Sequence, residues 1–492
     1  MRVSELLSDL DLGSSVAEHD ELLERYFIET ETFRAVIRDK ADVIAGDKGT
    51  GKSALYRILS KRYSDIPELF DTEILSAFNI AGTPVFQRLY EADTLTEDDY
   101  INVWKTYFFS LAGNWLLELF DGDYIDEMQA IEKILSDSNL RTADDSPSGV
   151  FSRLVNGIKR VIRPKSIQGT AKIGPAELSG TLEFFGPVSE STGLSRYDDA
   201  LRILDAALQK SEIKLWLAVD RLDEAFQSRP QMETPILRAL FRCYLDMQEF
   251  NNVKLKIFVR RDLFGRIIKG GFVNLTHVNS RKIEIRWDDS DLFSLLHKRV
   301  AENERFIKKL GINSTSADDL FSVLFPEKVD YGSKKPITWN WIVRRIGDAN
   351  VKPPRNLIDL ILKSREAQLR REDRHHRDYE IGVPLIQSDS IKRGHDALSE
   401  QRVEDTLLAE AGEYSEIIEL FRDGKAEHNT STLQEILGKD YLDHISYLQG
   451  VGFLEKIGEN YKVPALYRRG LRIKQGKAFA PGNNDEDVAE DD

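Results

Sequence analysis

Gly46-Asp47-Lys48-Gly49-Thr50-Gly51-Lys52-Ser53 follows a short apolar run, Ala41 to Ala45, and precedes a helical period carried by Leu55, Ile58 and Leu59. Strand, glycine-rich turn and helix in that order match GxxxxGK followed by Ser or Thr, the P-loop pattern. The spacing has a physical basis. Glycines let the backbone curl until successive amides point at one anion, and the helix behind them adds its positive dipole end. Lys52 can then reach terminal phosphates, and Ser53 can offer its hydroxyl to a magnesium ion. Gly46 through Ala54 are therefore the candidate nucleotide-binding residues.

Outward from that loop, a second motif begins well past Ser53, at Leu215-Trp216-Leu217-Ala218-Val219-Asp220-Arg221-Leu222-Asp223-Glu224. The unbroken apolar run Lys214 to Val219 predicts a buried strand that stops at Asp220. A carboxylate at the carboxyl end of a strand beside the P-loop strand can hold magnesium-bound water, so Asp220 joins Ser53 as a candidate metal ligand. One turn further on, Glu224 has the longer reach for orienting or deprotonating an attacking water, with Asp223 its competitor. Capping of the following helix is the plain alternative for both acids.

Another apolar run, Val253 to Val259, ends at Arg260 and Arg261, where a cation can touch the γ-phosphate or simply make a surface ion pair. Arg355, in Lys352-Pro353-Pro354-Arg355-Asn356-Leu357-Ile358-Asp359, opens a helix behind two prolines. There it can close onto phosphates and couple a lid to hydrolysis, or remain a first-turn surface arginine. Strands without alternation, separated by helices, indicate a parallel sheet covered on both faces. The expected fold class is α/β, a P-loop NTPase sheet with a large mostly helical insertion, a helical lid and a C-terminal winged helix. The expected division is 1–70 for N-terminal helices and P-loop, 71–200 for the insertion with a small β element at Ile167 to Phe185, and 201–287 for the rest of the core. Residues 288–396 form lid and linker, with the charge- and His-rich stretch 371–396 as the linker, 397–480 the winged helix, and 481–492 an acidic disordered tail.

Composition bounds the function. With 83 acidic against 68 basic side chains in 492 residues, the formal charge of −15 argues against a surface that coats nucleic acid or lipid. Six of those charges lie after Asn484, which leaves the body nearer −9. The single cysteine, Cys243, excludes an intrachain disulfide and fits a reducing cytoplasm. Met1 to Asp11 carries acids and no apolar core, unlike a signal peptide. Tyr107 to Phe120 is too short for a membrane span and is interrupted by Ser110 and Asn114, so a buried helix is expected and no membrane partner. The histidines, His375 and His376 included, lack a metal pattern; Leu178-Ser179-Gly180-Thr181 lacks the remainder of an ABC signature; and no NKxD element supports a GTPase.

At the C-terminus, Phe453, Leu454, Ile457, Tyr461 and Val463 surround a Gly458-Glu459-Asn460 turn, the outline of a wing. Its expected recognition helix, Lys439 to Gln449, carries Asp440 and Asp443 against Lys439 and His444, which favours protein over a phosphate-lined groove. Arg468, Arg469, Arg472, Lys474 and Lys477 form a strip that can touch DNA or RNA, or merely oppose the acidic tail.

These elements together resemble the AAA+ and STAND-type P-loop ATPases. The hhhhDxLDE ending of the acidic strand looks like the STAND version, and the Pro-Arg-Asn-Leu-Ile helix resembles the lid-borne sensor arginine of the origin-recognition branch. The whole order is similar to uncharacterised bacterial P-loop ATPases, relatives of which are often encoded in phage-defence islands. The resemblance spans roughly residues 20 to 465, with the P-loop and the acidic strand its specific parts. It implies a hydrolase with ATP and Mg2+ as cofactors, Lys52 and Ser53 on phosphate and magnesium, Asp220 on magnesium, Glu224 in catalysis and Arg355 as sensor. It also implies a homo-oligomer whose nucleotide state controls assembly with a protein effector. An ATP-dependent DNA-binding protein of the origin-recognition type and a nucleotide-locked scaffold that does not hydrolyse are the alternatives. Two departures stand out: 166 residues separate Ser53 from Asp220, and no arginine finger is evident.

Overall fold

The structure is a computed structural model and describes residues 1–78, 96–142, 196–222, 230–269, 271–312, 316–347 and 351–479. Contacts divide the chain into two units. One holds Glu31–Gly46 and Lys52–Ile285; the other holds Met1–Thr30, Asp47–Gly51 and the chain from Arg286 onward.

The first unit is built on five parallel strands: β1 (Val43–Gly46), β2 (Thr72–Phe78), β3 (Lys214–Val219), β4 (Val253–Arg260) and β5 (Lys282–Glu284), in the order β2-β3-β4-β1-β5. β1 is buried at every residue and β3 at every residue but Lys214, as expected of strands covered on both faces. A parallel sheet with the P-loop between β1 and the helix that follows it is the α/β P-loop NTPase fold.

One adjacency differs from expectation. The acidic strand does not lie beside the P-loop strand, because β4 is inserted between them: Ile257 pairs with Val43 on one side and Val219 on the other. Hydrogen-bonding order is a long-range property, and β1 and β3 are equally apolar whichever neighbour they take. Two strand spacings, roughly 10 Å, therefore separate the two motifs across the sheet.

Helix α1 (Lys52–Arg62) follows the P-loop. The sequence assigns 71–200 to an insertion, yet β2 is the sheet's own edge strand, paired along β3 from Thr72↔Lys214. The extra length thus lies within the β2–β3 crossover. Its described helices, α2 (Glu97–Phe120), α3 (Asp126–Asp137) and α4 (Arg196–Lys210), share one hydrophobic core with the sheet. α2 starts at a capping box, in which Thr96 accepts from the Asp99 amide at 3.2 Å and Asp99 accepts from the Thr96 amide at 2.9 Å. It buries Trp104, Tyr107, Phe108 and Phe109, each worth about 1.5–3 kcal/mol of burial. Its buried Asn114 donates to the carbonyls of Ser110 (2.7 Å) and Leu140 (3.0 Å) and accepts from the Thr142 amide (2.9 Å). The Asn114 interruption of that apolar stretch is thus internal bracing of a buried helix. Among the described residues no helix is long and apolar enough to cross a membrane. Helix α5 (Pro230–Met247) carries Cys243, fully buried, with burial pushing its thiol far above the usual range. Lys105 of α2 ties α4 and α5 through Asp198 (2.7 Å) and Asp246 (2.6 Å). The small β element expected at Ile167 to Phe185 lies outside the described residues.

In the second unit, helix Val3–Asp9 packs Leu6 and Leu7 into a core shared with α6 (Asp289–Ala301), α7 (Pro354–Glu372) and α8 (Ser388–Arg402). Pro353 caps α7 and Pro354 is its first residue, the position where a missing amide costs nothing. The loop or linker expected at 371–396 is shorter than that, lying between Glu372 and Ser388: α8 begins at Ser388 and buries Ser390, Ile391, His395 and Leu398. Its polar residues point inward, which composition cannot distinguish from a solvated stretch. A third core, from Val403 to Ile473, holds helices α9 (Thr430–Leu437) and α10 (Tyr441–Gly450) and a sheet in the order β7-β8-β6-β9. There β6 is Lys425–His428, the hairpin strands β7 and β8 are Glu455–Ile457 and Asn460–Lys462, and β9 is Lys474–Lys477. The acidic tail lies outside the described residues.

Candidate functional site

The P-loop residues fall at the boundary that their chemistry requires. β1 ends at Gly46, and Lys52 opens an 11-residue helix whose first turn holds Ser53 and Ala54, both half-buried. Lys52 Nζ donates to the Gly46 carbonyl at 2.9 Å, so its charge is already aimed across the mouth of the loop. Within the loop, Gly49 and Gly51 have φ of 80° and 100°, the left-handed region that glycine adopts without strain. Thr50 is 2% exposed, and its hydroxyl donates to the Asp47 carbonyl at 2.8 Å, bracing the turn from inside.

Asp220 directly follows β3 and is 4% exposed. The next residue, Arg221, has φ 58°, a strained conformation for a side chain of its size. The chain therefore leaves the strand sharply at the acid. Asp223 and Glu224 lie outside the described residues. Arg260 ends β4 in register with Gly46, which puts it at the strand edge beside the P-loop. It reaches Asp262 through Nε at 3.0 Å and a terminal nitrogen at 3.2 Å. Burial alone would raise the Asp262 carboxyl, but the charge of Arg260 outweighs it and holds that group low. Arg261 is exposed.

Tyr56 is a further residue at this edge. It lies on α1 four residues after Lys52, shares a hydrogen bond with Ser76 of β2, and packs edge-on against Phe258 at 5.6 Å. Burial raises its hydroxyl pKa, and the negative charge of Asp220 adds to that. The i, i+4 spacing from Lys52 is the signal that could have found it.

The second unit holds the loop itself. Arg355 N lies 3.4 Å from the Gly49 carbonyl, and a methyl group on Gly49 would stand 3.0 Å from Arg355 Cβ. Among the described residues the Nε of Arg355 is buried without a hydrogen-bond partner, so this cation has donor capacity unused beside the loop. Trp287 donates its indole N–H to the Thr50 carbonyl at 2.8 Å, and Lys48 pairs with Glu410. Arg355 and the glycine loop thus lie side by side. Trp287 and Glu410 are additions that no local pattern announces.

The groups that this fold implies, a nucleoside triphosphate and magnesium, fit what each unit holds: in the first, Lys52 and Ser53 in the opening turn of α1 and the buried strand-end carboxylate of Asp220; in the second, the left-handed Gly49 and Gly51 and the buried Nε of Arg355.

No protein-family model matches the chain. Among curated proteins it is similar to the putative transposon gamma-delta 80.3 kDa protein of Escherichia coli strain K12, 21% identical over 300 residues. That match covers 58% of this chain and 39% of the relative, so the chain spans well under half of that protein's length. Among solved structures it is similar to a Walker-type ATPase of Pyrococcus abyssi (TM-score 0.40, 12% identity, 94% of this chain and 100% of that one). It is also similar to the Aeropyrum pernix ORC1 protein in complex with DNA (TM-score 0.36, 14% identity, 93% and 96%). The Aeropyrum pernix ORC2 protein scores alike (TM-score 0.36, 12% identity, 90% and 93%). All three likenesses are distant, and the fold assignment rests on the strand order and the loop described above.

Proposed function

We propose that the chain is a magnesium-dependent ATP-binding and hydrolysing protein of AAA+/STAND-like type whose nucleotide state controls assembly with a protein partner, in the setting of bacterial antiphage defence. The observation that carries the reading is the loop: two left-handed glycines at the head of α1, with Lys52 held across its mouth. Such a loop presents amides and a helix N-terminus to phosphate. Lys52 neutralises the terminal phosphates, and Ser53 with Asp220 holds magnesium. Bound there, the metal supplies Lewis-acid polarisation of the phosphoryl oxygens. Glu224, or Asp223 in its place, orients the attacking water and takes its proton. Arg355 uses its free Nε on the terminal phosphate, and Arg260 or Arg261 reads the same group from the β4 edge; Arg260 must first release Asp262.

The order strand, helix, helix, hairpin over 425–462 supports a winged helix, and its α10 exposes Leu442 and Asp443, a surface suited to protein rather than phosphate. One observation favours the DNA-binding alternative: Lys474 and Lys477 stand exposed on β9. Against it, Arg469 and Arg472 face Asp396 (3.4 Å) and Asp423 (2.8 Å).

Titration of the purified protein with ATP, with and without magnesium, tests the assignment. Wild type should bind more tightly with the metal, and Asp220→Asn should lose that gain. Single-turnover hydrolysis with Glu224→Gln and Asp223→Asn then names the base, and tight binding without turnover in wild type would leave only the scaffold alternative. Mass measurement with and without ATP reports the expected homo-oligomer.

A further inference from the structure

Arg402 closes α8 and is 5% exposed. Its Nε donates to Asn356 Oδ1 at 2.7 Å, one terminal nitrogen meets Asp405 at 3.0 Å, and the other pairs with Asp359. Asn356 and Asp359 stand in the opening turns of α7, immediately after Arg355. Asn356 is also 5% exposed and donates to the Ile346 carbonyl at 2.6 Å, so both ends of its amide are engaged. Arg355 differs: its buried Nε has no partner, so its own hydrogen bonds do not set where that nitrogen points. The placement of α7's first turn sets it, and Arg402, together with the Ile346 carbonyl, holds that turn.

We propose that Arg402 is a positioning residue for the nucleotide loop, gripping Asn356 and Asp359 so that Arg355 is presented beside Gly49 to the terminal phosphate of a bound nucleoside triphosphate. The proposal rests on the reading that this loop binds ATP and that Arg355 senses it. The chain after Arg402 strengthens the geometry. Val403–Leu408 is π-helical, a form that recurs at functional positions, and two residues later Glu410 pairs with Lys48 of the loop. The segment 402–410 therefore touches the loop's surroundings at both of its ends. Beside it packs the chain that leads into β9: Gly470 N donates to Ser399 Oγ of α8 at 2.8 Å, and a methyl group on Gly470 would stand 2.7 Å from Val403 Cγ2.

The test is a double-mutant cycle on the full chain, comparing the affinity of a non-hydrolysable triphosphate, adenylyl imidodiphosphate, with that of ADP in wild type, Arg355→Ala, Arg402→Lys and the double variant. Lysine keeps the charge and loses the fork that holds three partners. Wild type should prefer the triphosphate; Arg355→Ala should lose roughly tenfold of that preference. Arg402→Lys should lose a comparable amount, and the double variant no more than either. A residue that only holds the fold would weaken both nucleotides alike and add to Arg355→Ala, and that result overturns the proposal. Loss in Arg355→Ala with full preference in Arg402→Lys overturns the positioning role and leaves the sensor reading standing. If Arg355→Ala itself keeps the preference, the sensor reading fails and the proposal falls with it. Should Arg402→Lys not melt cooperatively, Asp405→Asn at the exposed end of the same network replaces it. A loss of about two- to fivefold is then expected, and no change overturns the proposal.

Discussion

Gly49→Ala places a side chain where the loop has no room for one. At φ 80° an alanine costs roughly 1–2 kcal/mol more than glycine. Its Cβ would also stand 3.0 Å from Arg355 Cβ and 3.4 Å from Pro353 Cβ, neither of them the far end of a flexible chain, which adds about 1 kcal/mol. The total of about 2–3 kcal/mol has two outlets. If the loop keeps its shape, the folded state loses that stability and the urea midpoint falls. If the loop relaxes, its backbone must be driven back on binding, so ATP affinity drops by roughly thirty- to a hundred-and-fifty-fold. Calorimetric titration with ATP and urea unfolding of the same sample measure the two shares, which should together account for the total. A variant that binds ATP within about twofold of wild type and unfolds at the same urea concentration would refute the reasoning, because no strained loop would then exist.

Lys256 is 1% exposed and joins Asp39 and Asp42 at 2.7 Å each, while lying over the Trp216 ring at 4.0 Å. Lys256→Ala should cost about 3–5 kcal/mol in chemical unfolding, because removing one partner strands buried carboxylate; Lys254→Ala, at the exposed rim, should cost less than about 1 kcal/mol. The acid limb of stability has two parts. Burial would raise the Asp42 carboxyl, but the Arg281 hydrogen bond and the Lys256 charge outweigh it and hold it below the carboxylate range. Its contribution is therefore present above an unfolded pKa of about 3.9 and fades only below that. His395 acts higher: burial first, then the charges of Arg345, Arg469 and Arg468, bring its pKa down from 6.5 to about 3. The unfolded chain then binds a proton that the folded chain refuses between those values, so stability should fall as pH drops from 6.5, at about 1.4 kcal/mol per pH unit. Unfolding midpoints between pH 6.5 and 5 should show this slope in wild type and lose it in His395→Leu.

Local features were legible in proportion to how local their physics is. Gly46 to Ser53 could be read as a turn between strand and helix because left-handed backbone at Gly49 and Gly51 calls for glycine at those positions, and the buried strand before Asp220 because a fully covered strand must be apolar throughout. The position of β4 between β1 and β3 could not, since nothing in either run encodes its hydrogen-bonded neighbour. α8 was hidden for a different reason: Ser390, His395, Ser399 and Arg402 are polar residues that are buried, and in composition they look solvated. Trp287 and Glu410 reach the loop from 237 and 362 residues away, beyond any periodicity. Tyr56, by contrast, stands at helical spacing from Lys52 and was there to be found.

The central claim, that the loop from Gly46 to Ser53 holds ATP, is tested most directly by titrating the purified chain and its Lys52→Ala variant with ATP and magnesium. Wild type should bind, and removing the charge that Lys52 holds across the loop mouth should weaken binding by about a hundredfold, the equivalent of close to 3 kcal/mol. Equal affinity of the two proteins for ATP would contradict the account.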